Sequence, residues 1–129
     1  MKRIKSLSDK RIIVEGRVNN ESAYFLADTG ASIAILDYDK RKKYDLKVGR
    51  KFNGTIVGAG GEMRNLRHCD TFAYIEDRAL TQFVLADISD VVKSMKRETG
   101  VEILGIISLP QMKLIGMNID ANSNEFWFE

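Results

Sequence analysis

A single carboxylate set between two apolar runs constrains this chain more than any other feature. Tyr24, Phe25, Leu26 and Ala27 lead into Asp28, Thr29, Gly30, Ala31 and Ser32, and Ile33, Ala34, Ile35 and Leu36 follow. Short apolar runs bounded by turn residues read as buried strands, so the pattern sets Asp28 at the end of one. An isolated buried anion costs several kcal/mol, so such a carboxylate must be held by hydrogen bonds or by shared charge. Gly30, two residues on, lets backbone come close. By itself an Asp-Thr-Gly triplet marks only a tight turn; the apolar frame and two segments downstream make this one specific.

The first of these is Gly58, Ala59, Gly60 and Gly61, after the strand-like Gly54 to Val57 and before the more polar Glu62 to Asn65. So many glycines give a hairpin tip that can bend and bring its backbone near a ligand. No Lys followed by Ser or Thr comes after them, which argues against a phosphate-binding loop. The second is Val101 to Gly105, followed by Ile106 to Leu109 and Leu114 to Asp120. Read alone, it is an ordinary core strand and helix cap.

In order and spacing the three segments together resemble the retropepsin-like, retroviral-type aspartic proteases, with Ala31 closer to the retroviral loop than to the pepsin loop. The resemblance covers residues 12–128. It implies a mainly β fold, a closed or partly open acid-protease barrel with one or two short helices, and a catalytic Asp28 supported by Thr29 and Gly30. It further implies that Gly58, Ala59 and Gly60 form the tip of a flap that closes over substrate, that Gly30 and Ser32 contact the substrate, and that Ile103, Leu104 and Gly105 pack beneath the catalytic loop. Two departures stand out. Where the retroviral enzymes carry a second Asp, this chain has Ser32, and where they carry the Arg that pairs with it, this chain has Ile106. Losing one partner of a buried pair strands a charge at a cost of several kcal/mol, whereas losing both can be neutral. The joint loss reads as a consistent variant.

The chain of 129 residues, 44% of them hydrophobic, is long enough for one domain with a real core, read as 1–129 with 11–128 as its body. Basic residues cluster at Lys40 to Lys43 and at Lys93, Lys96 and Arg97, but acidic residues are interleaved and the net charge is only +2. Solvated faces, not a nucleic-acid surface, are the expectation. Cys69 is the only cysteine and fits a reducing, cytoplasmic setting. No run is long enough to span a membrane, and no signal-like stretch follows the basic start. His68, Cys69 and Asp70 are consecutive, so on a strand they diverge; neither a metal nor another cofactor is expected.

The remaining pattern is strand-rich. Ile12, Val14 and Val18 alternate with polar residues, and a turn at Asn19 to Ser22 leads into Ala23 to Asp28, a hairpin whose second arm delivers the carboxylate. A short helix is expected over Asp37–Tyr44, a pair of strands at Thr71–Ile75 and Gln82–Ala86, a helix over Asp87–Thr99 ended by Gly100, and a last strand at Glu125–Phe128.

Hydrolysis by water without a metal or covalent nucleophile needs an acid and a base, and two adjacent carboxylates sharing a proton provide both. The chain holds only one Asp-Thr-Gly. A second must come from another copy, so the expected enzyme is an aspartic endopeptidase acting on peptides as a two-fold homodimer, with Asp28 from each subunit on the axis. The alternative keeps the fold and drops the chemistry, giving an inactive dimerisation or peptide-binding module. Pepsin-like loops often carry a hydroxyl where this chain has Ala31. Without that donor to the ionised carboxylate, the optimum is expected at roughly pH 5–6, not near pH 2.

Overall fold

The computed structural model describes residues 2–58, 61–63 and 65–129. Strand β2 (Ile13–Val18) alternates buried and exposed residues, as its sequence demands, and turns through Asn19 and Asn20, both at positive φ (49° and 66°), into β3 (Glu21–Ala27). Asparagine tolerates this geometry, which matches the twist of a tight hairpin. The two arms pair from Ile13↔Leu26 to Val18↔Glu21.

The other elements are β1 (Ile4–Lys5), β4 (Ile35–Asp37), β5 (Val48–Lys51), β6 (Val57–Gly58), β7 (Gly61–Glu62), β8 (Arg67–Cys69), β9 (Ala73–Ile75) and β10 (Arg78–Leu80). They continue with β11 (Phe83–Ala86), α1 (Ser89–Thr99), β12 (Gly105–Ile107), α2 (Leu109–Leu114), β13 (Met117–Asp120) and β14 (Glu125–Phe128). The main sheet, curled into a half-barrel, runs β10-β9-β2-β3-β12-β4-β11-β8-β5. A smaller sheet runs β1-β14-β13, and β6 pairs with β7. At the centre, β12 lies parallel to β3 and antiparallel to β4.

The register lines up two rows of side chains, one on each face of the sheet. Ile13, Leu26, Ile106, Ile35 and Val84 follow one another across five strands. They belong to one apolar cluster together with Ile88, Val92 and Met95. On the other face Val14, Phe25, Leu36 and Leu85 belong to the second cluster, which includes Phe83, Ile107 and Phe126. Gly105 lies between Phe25 and Leu36 in that row. A methyl group there would collide with the Ile35 carbonyl oxygen and approach Leu36 Cδ2 to 2.8 Å, so the strand crossing needs glycine.

Helix α1 turns Val92 and Met95 inward and ends at Gly100 in the left-handed conformation (φ 78°). It starts at Ser89, two residues later than the sequence suggests, because the Asp87 carboxylate accepts from the Ser89 N–H and hydroxyl (3.0 and 2.7 Å). Ser108 caps α2 by accepting from the Gln111 N–H, with Pro110 in the first turn, where a missing donor costs nothing. The N-terminal segment is tied to the small sheet: Ser6 N–H donates to Asn124 O, and the Arg3 guanidinium lies 4.1 Å from the Trp127 ring centre. Among the described residues no helix is long and apolar enough to cross a membrane.

Two local readings change. The helix expected over Asp37–Tyr44 is one 3₁₀ turn, Tyr38–Lys40, followed by turns. Asp37 is committed to β4, and Asp45 at φ 52° folds the chain back so that Leu46 N–H reaches Arg41 O (2.8 Å) while Tyr44 and Leu46 enter the core. The strands expected at 71–75 and 82–86 form in shorter versions but do not pair with each other. β9 takes the unforeseen β10 as its partner, whereas β11 inserts between β4 and β8, redirected at Gln82 (φ 63°).

Candidate active site

The Asp28 loop leaves the central strands at the point where β3 and β12 run side by side. Three neighbours fix its backbone. Ala27 N–H donates to Ile12 O (2.9 Å), Asp28 N–H to Ile107 O (3.0 Å), and Leu109 N–H, at the start of α2, to Ala31 O (3.0 Å). Within the loop Ala31 N–H returns to Asp28 O (3.0 Å), and Gly30 N–H donates to Asp28 Oδ1 (2.9 Å). A side chain at residue 30 would crowd that oxygen, since a Cβ would sit 3.3 Å from it. The carboxylate is therefore oriented by the loop's own main chain.

Asp28 is half-buried in the single chain, less enclosed than the apolar run suggests, because β3 stops at Ala27 and the loop faces outward from the sheet's end. Thr29, Gly30 and Ser32 are exposed, and Ala31 and Ile33 are partly buried against the first apolar cluster. The loop thus presents a carboxylate, a hydroxyl and a glycine on one open surface.

The hairpin expected to act as a flap pairs Val57↔Glu62 and Gly58↔Gly61, and Met63 N–H donates to Ile56 O (2.8 Å). Ala59 and Gly60, the other two residues assigned to its tip, lie outside the described residues. At its base Ile56 and Met63 pack on the same cluster as Ala31 and Ile33, so hairpin base and loop flank share one apolar support. Ile103 and Leu104 are fully buried, as supports should be.

Ile106, where the resemblance sets an arginine in the retroviral enzymes, is a core position. It sits between Leu26 and Ile35 in the row facing α1, 9% exposed. An arginine there, with a serine at 32, would leave a charge in an apolar layer.

Cys69 turns into the core, away from its neighbours, whereas His68 and Asp70 line one cavity, with His68 stacked edge-on against Phe52 at 5.2 Å. A different acidic group escaped the sequence reading. Asp37, Asp39 and Asp87 bring one oxygen each within 4.8 Å of one another. Burial pushes the Asp37 carboxyl above the usual carboxylate range, opposed by hydrogen bonds from the Asp39 and Ile88 N–H groups. The sequence held a signal for it, since all three residues end or follow strands, but not that β4 and β11 run parallel and in register.

A family model described as aspartyl protease matches residues 14–118. Among solved structures, the chain is similar to the EIAV protease complexed with the inhibitor HBY-793. The two share 20% identity, with 85% of this chain and 92% of that one covered and a TM-score of 0.62. It is also similar to the retroviral protease-like domain of Ddi1 from Leishmania major, at 16% identity, 92% and 88% coverage and a TM-score of 0.59. No curated protein matches. At these identities the likeness speaks for the fold, which is retropepsin-like.

Proposed function

The chain belongs to the aspartyl protease family, and from that premise we propose that it is an aspartic endopeptidase whose active form is a two-fold homodimer. The observation that carries this reading is the Asp28 loop itself, a half-buried carboxylate oriented by the Gly30 N–H on a loop anchored to three elements, with an exposed face beside it. One carboxylate cannot be acid and base at once. Two copies of Asp28 brought together share a proton, because like charges about 3 Å apart cannot both ionise. The ionised Asp28 takes a proton from the attacking water while the protonated one donates to the scissile carbonyl oxygen. Such a dyad titrates as a unit.

In this reading Thr29 braces the opposite loop, Gly30 and Ser32 meet the substrate backbone, and Gly58, Ala59 and Gly60 close over it. The substrate is a peptide or protein chain. A reducing cytoplasmic setting suits a lone, buried thiol at Cys69. The rival reading, a dimeric peptide-binding module without catalysis, draws on Ser32 and Ile106, which remove a charged pair beside the site.

A peptide library tests the choice. Cleavage that disappears in Asp28→Asn and is blocked by a statine-type transition-state mimic supports the protease. Binding with no cleavage at any pH supports the module.

A further inference from the structure

Three consecutive residues grip the Asp28 loop at both ends. Ile107 O accepts from Asp28 N–H and Leu109 N–H donates to Ala31 O, each at 3.0 Å. Between them stands Ser108, buried at the point where the extended backbone of β12 gives way to α2.

The first N–H groups of a helix have no partner within it, and α2 places its own as follows. Pro110 has none, Gln111 N–H goes to Ser108 Oγ (3.3 Å), and Met112 N–H makes the first bond inside the helix, to Ser108 O (3.0 Å). That leaves Leu109 N–H to reach outside the helix, and it reaches the loop. Gln111 holds the same turn from another side. It is 8% exposed, its Nε2 donates to Thr81 O at 2.6 Å, and the reverse orientation of the amide would set oxygen against oxygen. Oε1 is then buried with no partner. An unpaired buried acceptor is destabilising, and an apolar side chain of the same length would not carry it. What the glutamine supplies instead is a tether on the turn that aims Leu109 N–H.

We propose that Ser108 and Gln111 are positioning residues for Asp28. The serine cap and the glutamine tether fix the first turn of α2, so that Leu109 N–H holds the loop, and with it the carboxylate, where proton sharing with a second copy requires it. The inference rests on the protease reading and deepens it. Ser32 and Ile106 cannot form a charged pair, so the stiffness of the loop falls to neutral hydrogen bonds such as these.

Three variants test it with little change in size. Ser108→Ala removes the cap acceptor, Gln111→Met removes the tether, and Ser108→Thr keeps the acceptor. The first two should each lower kcat about tenfold with KM within about twofold, as a small misplacement of a reacting group does. Ser108→Thr should hold kcat within about threefold of wild type, since threonine also caps. With the two carboxylates less tightly coupled, their apparent pKa values draw together and the plateau of the kcat–pH profile narrows. A mere loss of folded protein scales the profile and keeps its shape. Amide hydrogen exchange supplies a readout free of turnover. In Ser108→Ala and Gln111→Met, the Leu109 and Ala31 N–H groups should lose about tenfold in protection, while Leu104 N–H, bonded to Tyr24 O in the body of the sheet, keeps its own. Unchanged kcat in both variants overturns the proposal, as does a fall in kcat with an unchanged profile and equal loss of protection at all three amides. If the wild-type protein cleaves nothing, the protease reading falls and exchange alone decides. Selective loss at Leu109 and Ala31 then upholds the positioning of the loop, and uniform loss or none overturns it.

Discussion

The Asp28 loop and the hairpin β6–β7 are both glycine-containing turns expected to meet substrate, and they are built in opposite ways. The loop is fastened by main-chain bonds to Ile12, Ile107 and Leu109, three separate parts of the fold. Among the described residues the hairpin pairs only with itself, over Val57–Gly58 and Gly61–Glu62, and it carries Val57 at 74% exposure. The difference fits the tasks proposed for them. A group that moves protons must be held to within a fraction of an ångström, whereas a cover must open to admit a chain. Substitutions in the loop should therefore act on turnover, and substitutions in the hairpin on substrate affinity.

The largest effect that sharpens this contrast is at Asp28. Asp28→Asn should lower kcat by about 10³-fold or more, in the range seen when acid–base groups are removed. The thermal midpoint should stay near wild type, since Asn still accepts from Gly30. Kinetics and calorimetry on one sample check both halves, and a collapse of the fold would mean that the carboxylate is structural.

Next comes the support beneath the loop. Gly105→Ala, in the strand whose Ile107 carbonyl holds Asp28 N–H, forces a methyl against the Ile35 carbonyl of the neighbouring strand and should cost about 1–3 kcal/mol in denaturant unfolding. Val57→Ser in the hairpin should leave stability within about 0.5 kcal/mol and raise KM with little change in kcat. If Val57→Ser lowers kcat as strongly as Gly105→Ala lowers stability, the division between rigid loop and loose cover fails.

Much of the loop was legible in the sequence because its signal is local. An apolar strand, an Asp and a glycine fix the turn, and the retropepsin-like fold follows from the order of three such segments. What stayed hidden depends on pairing between distant segments. Nothing near Phe83–Ala86 says that it will lie between β4 and β8 and not beside Ala73–Ile75. Nothing near Leu109 says that its N–H will hold Ala31. The short helix expected at Asp37 ends after one 3₁₀ turn, which Asp37 does cap, because the fold-back at Asp45 and the burial of Tyr44 and Leu46 overrode its continuation. The acidic trio was missed because it forms only through the parallel pairing of β4 with β11, which nothing local announces.

That trio gives a smaller, pH-dependent prediction. Asp37 has its folded-state carboxyl raised by burial, so its contribution to stability is present in acid and is lost as pH rises through the folded value. Asp37→Asn removes the cost of ionisation and should raise the thermal midpoint at neutral pH more than in acid. An equal shift at both would show that the carboxyl is not the cause. Smallest is the placing of the activity profile: with Ala31 offering no hydroxyl, the optimum should fall at roughly pH 5–6, and a peak at or below about pH 3, under the range of an ordinary carboxyl, would point to another donor.

All of these depend on whether one chain or two make the site. Specific activity measured across a dilution series, beside sedimentation of the same samples, addresses that most directly. The account expects specific activity to fall with the square-law dependence of a dissociating pair, its midpoint coinciding with the loss of dimer. Specific activity that stays constant down to concentrations where only single chains sediment would contradict it.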